Sequence, residues 1–252
     1  MLNPESRMTT VYTVITGNFD NLRTPPPAAV EAGTRYVCFT DRPRSIPPWE
    51  QQSFPQMFGP DSRRNSRIPK MLPHLLLDTD ESIYLDGAYV LQVAPSHLIR
   101  DLLGDADVGM FAHPGHASIH DERNFYQRTH NYIPADIETQ YQKYVAADLP
   151  ITGEFWAGGF VMRRHNERTA TFNELWMREY LNGSDNDQFA LYYSVVTSQV
   201  RVATVPGYPS AEGRLVYALH ANSGCADNPG YESENACWKR RVDQIREICQ
   251  CK

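Results

Sequence analysis

The feature that most constrains this chain is a unit it repeats. A short β-branched or apolar segment ends on an acidic residue and a turn former, and a loop and a helical pattern follow. Residues 9–16 (TTVYTVIT) alternate as a strand does and run into Gly17, Asn18 and Asp20. Residues 35–40 (RYVCFT) end at Asp41, and Pro43 stops the strand soon after. Residues 82–85 (SIYL) end at Asp86 and Gly87, and residues 95–103 then read as a helix with Pro95 in its first turn. Further strands are expected at 108–112, 159–162 and 200–205. Helices are expected at 120–147 with a break at Pro134, at 169–180 and at 187–197. Strands alternating with helices predict an open α/β sheet. Carboxylates gathered at strand ends put its ligand site along that sheet edge.

At 252 residues, 41% hydrophobic and 21% charged, the chain can bury a sizeable core. One domain is expected over residues 1–224, with 225–252 as a cysteine-containing tail or C-terminal helix packed on it. Thirty acidic residues against 24 Lys and Arg leave a net charge of −6, which argues against indiscriminate polyanion binding. No stretch approaches the roughly 18 apolar residues of a membrane span, and the first residues lack the basic and apolar regions of a signal peptide. A cytoplasmic protein is therefore expected.

Several groups could carry chemistry. Asp86, at a strand end before Gly87, is poised either to meet a ligand or to cap its own turn. Arg63, Arg64, Arg67 and Lys70 put four cations into eight residues just ahead of a presumed helix. They read either as a solvated face or as an anion site, with Arg as a bidentate fork and Lys as a point charge. Glu154 opens a run of aromatic and small residues that includes Trp156, Gly158 and Gly159, where backbone can approach a ligand and rings can stack. Asp187 and Gln188 stand at a helix start, where an acid is also favoured by the helix dipole. His220 precedes a loop. Cys38 reads as a buried small hydrophobe. Cys225, Cys237, Cys249 and Cys251 could form disulfides or a zinc site, but no C-x-x-C pair is present.

Taken in order, these elements resemble a nucleotide-sugar glycosyltransferase of the GT-A type. They are most similar to a family of formerly uncharacterised domains that includes plant seed-mucilage and pollen-turgor proteins. The resemblance rests on Tyr36-Val37-Cys38-Phe39-Thr40-Asp41, on Arg67 with Lys70 and His74, and on Ser82-Ile83-Tyr84-Leu85-Asp86-Gly87. It continues through the segment 113–122 and Leu175-Trp176 to Asp187-Gln188. The glycogenin and lipopolysaccharide-galactosyltransferase family is similar at greater distance.

The resemblance implies a Rossmann-like GT-A fold, a mixed central sheet flanked by helices, that binds a nucleoside diphosphate-sugar, most readily a UDP-sugar. Asp41 would face the nucleoside, and Arg67 and Lys70 the diphosphate. Asp86 would meet ribose or metal, with Gly87 and Gly158 beside the donor. Glu154, Asp187 and Gln188 would lie by the transferred sugar and the acceptor. In such enzymes the strand-end position carries a D-x-D pair that holds manganese or magnesium. Here Ala88 replaces the second acid, so Asp86, with His220, is left to hold a divalent cation, and the basic cluster takes up charge compensation. Retention of configuration is implied more strongly than inversion.

Rival readings are a nucleotidyltransferase or sugar-nucleotide hydrolase on a similar fold, and a sugar-nucleotide- or carbohydrate-binding module without turnover. The acceptor is left open by the sequence, with a glycan favoured over nucleic acid. A modified nucleic-acid base is the other acceptor weighed, with Arg163, Arg164, Lys239, Arg240 and Arg241 on phosphates.

Overall fold

The computed structural model describes residues 8–43, 45–129, 134–205 and 214–217. Among these, a seven-stranded sheet has the order β3-β2-β1-β4-β7-β6-β8. Its strands are β1 (Thr9–Ile15), β2 (Thr34–Thr40), β3 (Glu50–Gln52), β4 (Glu81–Leu85), β6 (Val108–Ala112), β7 (Trp156–Arg164) and β8 (Val202–Val205). A small antiparallel pair, β5 (Tyr89–Leu91) with β9 (Leu215–Tyr217), stands beside it. β1 is parallel to β2 and β4, β2 to β3, and β6 to β8, while β7 runs antiparallel to both β4 and β6. All strands of the large sheet except β7 therefore point the same way, and their carboxyl ends share one edge.

The chain winds outward from β1 to β2 and β3, then returns to start β4 on the other side of β1. A doubly wound sheet binds ligands outside the strand ends at such a switch point. The sequence of each strand fixes which core it serves. Tyr12, Val14, Tyr84 and Val161 point into one cluster, while Val11, Ile83, Leu85 and Phe160 point into the other, the period-two alternation of a pleated strand.

The first face carries α1 (Ser62–Met71), α3 (Ile119–Thr129), α4 (Pro134–Ala146), α5 (Glu167–Asn182) and α6 (Asp187–Ser198). The second carries α2 (Pro95–Leu98), which runs into a π-helical turn at Ile99–Leu103. The expected break at Pro134 is where α4 starts. No described helix is long and apolar enough to cross a membrane.

One helix differs from the sequence reading in a way that matters. The basic cluster does not precede a helix; it is α1 itself. Asp61 caps it, its side chain accepting from the Arg64 amide at 2.9 Å. Pro69 lies inside its last turn, where its missing N–H hid the helix from a pattern search. β3, β5 and β9 also fall outside the expected strands, being three residues each.

Candidate active site

At the switch point a cleft of about 320 Å³ opens between the carboxyl ends of β1 and β4 and the flank of α1. Asp20, Asp86 and Gly87 line it from the strand ends, and Arg63, Ser66 and Arg67 from the helix. A second hollow of about 270 Å³ shares Ile15 and Asp20 with the first and extends to Cys38, Thr40 and Asp41 at the end of β2. The two form an elongated trough across three strand ends. Asp41 sits at its far lobe and accepts the Gly17 amide at 2.9 Å.

The trough leads to a buried ion cluster. Lys70, with only 3% of its side chain exposed, places Nζ 2.7 Å from Asp187 Oδ2 and 3.6 Å from Asp86 Oδ1. Arg67 Nη2 lies 3.4 Å from Asp187 Oδ1. The faces of Tyr84 and Trp176 bracket the ammonium at 5.3 and 5.8 Å. Burial alone would raise the Asp187 carboxyl, but Arg67 and Lys70 hold it well below the usual carboxylate range. Asp187 is thus a fixed negative charge between two cations, ill suited to collecting a proton at neutral pH.

Asp187 owes its place to its neighbours. Asn186 caps α6 by accepting the Gln188 and Phe189 amides, and Trp176 Nε1 donates to the Asp187 carbonyl at 2.9 Å. Arg163 supports Lys70 from below. It is wholly buried and donates to Tyr12 Oη, the Lys70 carbonyl and Asn173 Oδ1 at 2.8, 3.0 and 3.0 Å. A phosphate-contacting role for Arg163 is therefore ruled out by its burial. Arg164 is paired with Glu81 at 3.2 Å on the opposite sheet edge.

One donor in this cluster is left over. Arg67 Nε is buried with no hydrogen-bond partner among the described residues, although Arg67 lines the cleft. A buried N–H without an acceptor costs on the order of 1–3 kcal/mol.

Asp86 hydrogen-bonds the Tyr84 hydroxyl through Oδ1, and its amide donates to the Gly159 carbonyl at 2.8 Å. A Cβ on Gly159 would lie 3.0 Å from Asp86 Oδ2, so glycine is what lets β7 pass so close. Gly158, expected beside the donor, instead packs beneath Leu191 and Trp176, and its amide donates to Gln188 Oε1 at 3.2 Å. Gln188 also donates to the Trp156 carbonyl, which latches α6 to the start of β7. Glu154 is exposed at the β8 side, accepting from Thr204 at 3.1 Å, and none of its described bonds reaches the Asp187 cluster. His74 bonds Asn173 and pairs with Glu174. His220 and the four late cysteines lie outside the described residues.

By sequence alone Asp20 is only a turn former. A Cβ on Gly87 would meet its Oδ2 at 2.8 Å, so Gly87 makes room for this carboxylate beside Asp86. Asp20, and not position 88, brings the second acid to the cleft; Ala88 is buried. Asp20 and Asp86 are the two carboxylates that would hold a divalent cation here, an ion often bound by one or two carboxylates plus substrate oxygens. The signal available in the sequence was an acid ending β1 as Asp41 ends β2 and Asp86 ends β4.

A family model described as TOD1/MUCI70, glycosyltransferase-like domain, matches residues 48–207. That window contains α1, Asp86, the glycines of β7 and Asp187. The Arabidopsis thaliana protein named probable hexosyltransferase MUCI70 is 26% identical over 156 residues, 57% of this chain. The chain spans about a quarter of that relative, 26% of its length. A solved structure, the apo form of the bifunctional glycosyltransferase WbbM, aligns with a TM-score of 0.51 at 13% identity. The alignment covers 81% of this chain and 40% of that one, a likeness of fold that fits the α/β GT-A architecture.

Proposed function

The chain belongs to the TOD1/MUCI70 glycosyltransferase-like family, and from that premise we propose that it moves a hexose from a nucleoside diphosphate-sugar, in the first instance a UDP-sugar, to a glycan acceptor. The observation that carries the reading is the cleft itself. An elongated trough over the strand ends of β1, β2 and β4 leads past an unsatisfied buried Arg67 N–H to a buried Lys70.

A nucleoside would occupy the lobe at Asp41, the diphosphate the flank of α1, and the sugar the end of the cleft beside Asp86. Charge grows on the leaving diphosphate as the C1–O bond breaks, and Lys70 and Arg67 are fixed cations at hand to stabilise it. They need no reorganisation at that moment, because Asp187, Tyr84 and Trp176 already hold Lys70 in place. A divalent cation on Asp86 and Asp20 would add positive charge beside the same phosphates.

Asp187 would remain ionised and stabilise positive charge developing on the sugar ring. This suits the retaining course, in which the C1–O bond to the acceptor forms on the face the diphosphate leaves. The hydroxyl proton then passes to the departing phosphate oxygen. Incubation with a panel of UDP-hexoses and glycan acceptors, with and without manganese, tests the reading through UDP release and product anomer. Release of UDP coupled to a glycosylated product is expected. Nucleotide binding without turnover under any metal condition would reduce the protein to a binding module.

A further inference from the structure

A second group of reactive side chains stands at the same sheet edge, outside the donor trough. β4 and β6 both run antiparallel to β7, so the loop leaving β6 emerges on the edge where Asp86 stands. That loop carries His113 and His116, whose rings stack at 4.7 Å with 7° between planes. His116 Nδ1 pairs with the buried carboxylate of Glu122 on α3. The loop is tied back to the proposed site. The His113 amide donates to the Phe155 carbonyl at 2.7 Å and its ring packs on Phe155 at 5.3 Å. Directly after Phe155, Trp156 and Gly158 are latched by Gln188, next to Asp187.

Three metal-ligating side chains this close suggest a cation site, but the hydrogen bonds argue otherwise. His113 Nδ1 accepts the amides of Gly115 and His116 at 3.3 and 3.0 Å. Its proton is therefore on Nε2, the atom 4.0 Å from Glu122, and that nitrogen has no lone pair to give a metal. Burial and His116 push the His113 imidazole down to about 4, so it stays neutral. His113 is a strut.

His116 is different. Glu122 engages Nδ1, which leaves the other ring nitrogen, Nε2, for a ligand on a side chain still 15% exposed. Phe125 flanks the ring at 5.0 Å, an apolar wall of the kind that packs on the face of a sugar ring. Residues 113–122 (HPGHASIHDE) contain no Lys or Arg, and the next cation, Arg123, is paired with Glu138 at 2.6 Å, so this loop offers a phosphate backbone little positive charge.

We propose that this loop is the acceptor subsite, with His116 Nε2 hydrogen-bonding a carbohydrate hydroxyl, Glu122 fixing the imidazole's orientation and Phe125 packing on the sugar ring. The inference rests on the glycosyltransferase reading given above, and it adds the half of the site that the donor trough lacks.

His116→Ala and the gentler His116→Gln, which keeps a polar side chain beside Glu122, test it on the full chain. Acceptor KM should rise about tenfold or more in His116→Ala, the size of one hydrogen bond of about 1.4 kcal/mol. His116→Gln should fall between that variant and wild type. The affinity for UDP should stay within about twofold. Short oligosaccharides, but not oligonucleotides, should shift the His116 imidazole resonance in an NMR titration. The proposal is overturned if His116→Ala weakens UDP binding as much as acceptor use, if no oligosaccharide moves the resonance, or if oligonucleotides move it instead. Failure of wild-type protein to bind any nucleoside diphosphate would overturn the underlying function as well, and is told apart because it precedes any substitution.

Discussion

The two edges of the central sheet each carry a cluster in which one carboxylate is gripped by cations, and they behave differently. At the amino edge, Asp107 ahead of β6 is 1% exposed and accepts from Arg201, Arg168 and Asn166 at 3.0–3.2 Å. Both its oxygens are engaged, and the arginines that hold it reach out to solvent. At the carboxyl edge, Asp187 is gripped by Lys70 and Arg67, but Arg67 keeps an unpartnered N–H and borders a cleft. The first cluster closes on itself, whereas the second is incomplete. Charge pairing alone does not distinguish them; position at the strand carboxyl ends and an unmet donor do.

Substitutions can break this contrast. The largest effect is expected from Asp187→Asn, which keeps shape but removes the charge. Transfer should fall on the order of 10²–10³-fold while UDP affinity changes little, as read by steady-state kinetics and calorimetry. Equal loss of both would remove Asp187 from the chemistry.

Asp107→Asn should do the reverse. Kinetics should be unchanged, and stability should drop by about 2–3 kcal/mol in urea denaturation, because a saturated buried carboxylate is lost. Its pH dependence has a definite sign. Hydrogen bonds from Arg201 hold the Asp107 carboxyl below the usual carboxylate range. Its contribution is therefore complete above about pH 4 and fades as pH falls further. The stability gap between wild type and Asp107→Asn should narrow below about pH 4 and stay constant from about pH 5 to 8.

A smaller effect is expected from Gly159→Ala. The added methyl would crowd Asp86 Oδ2 and Tyr89 at 3.0 Å. Transfer should fall several-fold with a stability change of about 1 kcal/mol. An unchanged rate would mean that the exact position of Asp86 does not matter. Smallest of all, chelation should weaken UDP binding in wild type and leave it unaffected in a variant with both Asp20→Asn and Asp86→Asn.

Much of this was readable in the chain before any coordinates. The strand-end acids do share one sheet edge, because period-two alternation and β-branching are local signals that place the strands. Asp41, Asp86, Arg67, Lys70 and Asp187 do face one trough or adjoin it. What stayed hidden depended on distant pairing. Pro69 masked α1 although Asp61 capped it, and Arg163 looked like surface charge until Tyr12, Asn173 and the Lys70 carbonyl enclosed it. Asp20 could not be told from an ordinary turn residue, since its partner in space is Gly87, 67 positions later. Adjacent glycines were equally ambiguous. Only the third dimension separates Gly159, which admits Asp86, from Gly158, which admits Trp176.

The central claim is that the incomplete cluster awaits a nucleoside diphosphate, and thermal unfolding with UDP tests it most directly. Ligand at about a hundred times Kd adds about 2.7 kcal/mol, which for a domain of this size raises Tm by roughly 5–10 °C. That shift is expected in wild type and in Asp107→Asn, and its loss in Arg67→Ala. A flat response of wild-type protein to every nucleoside diphosphate, with and without manganese, would contradict it.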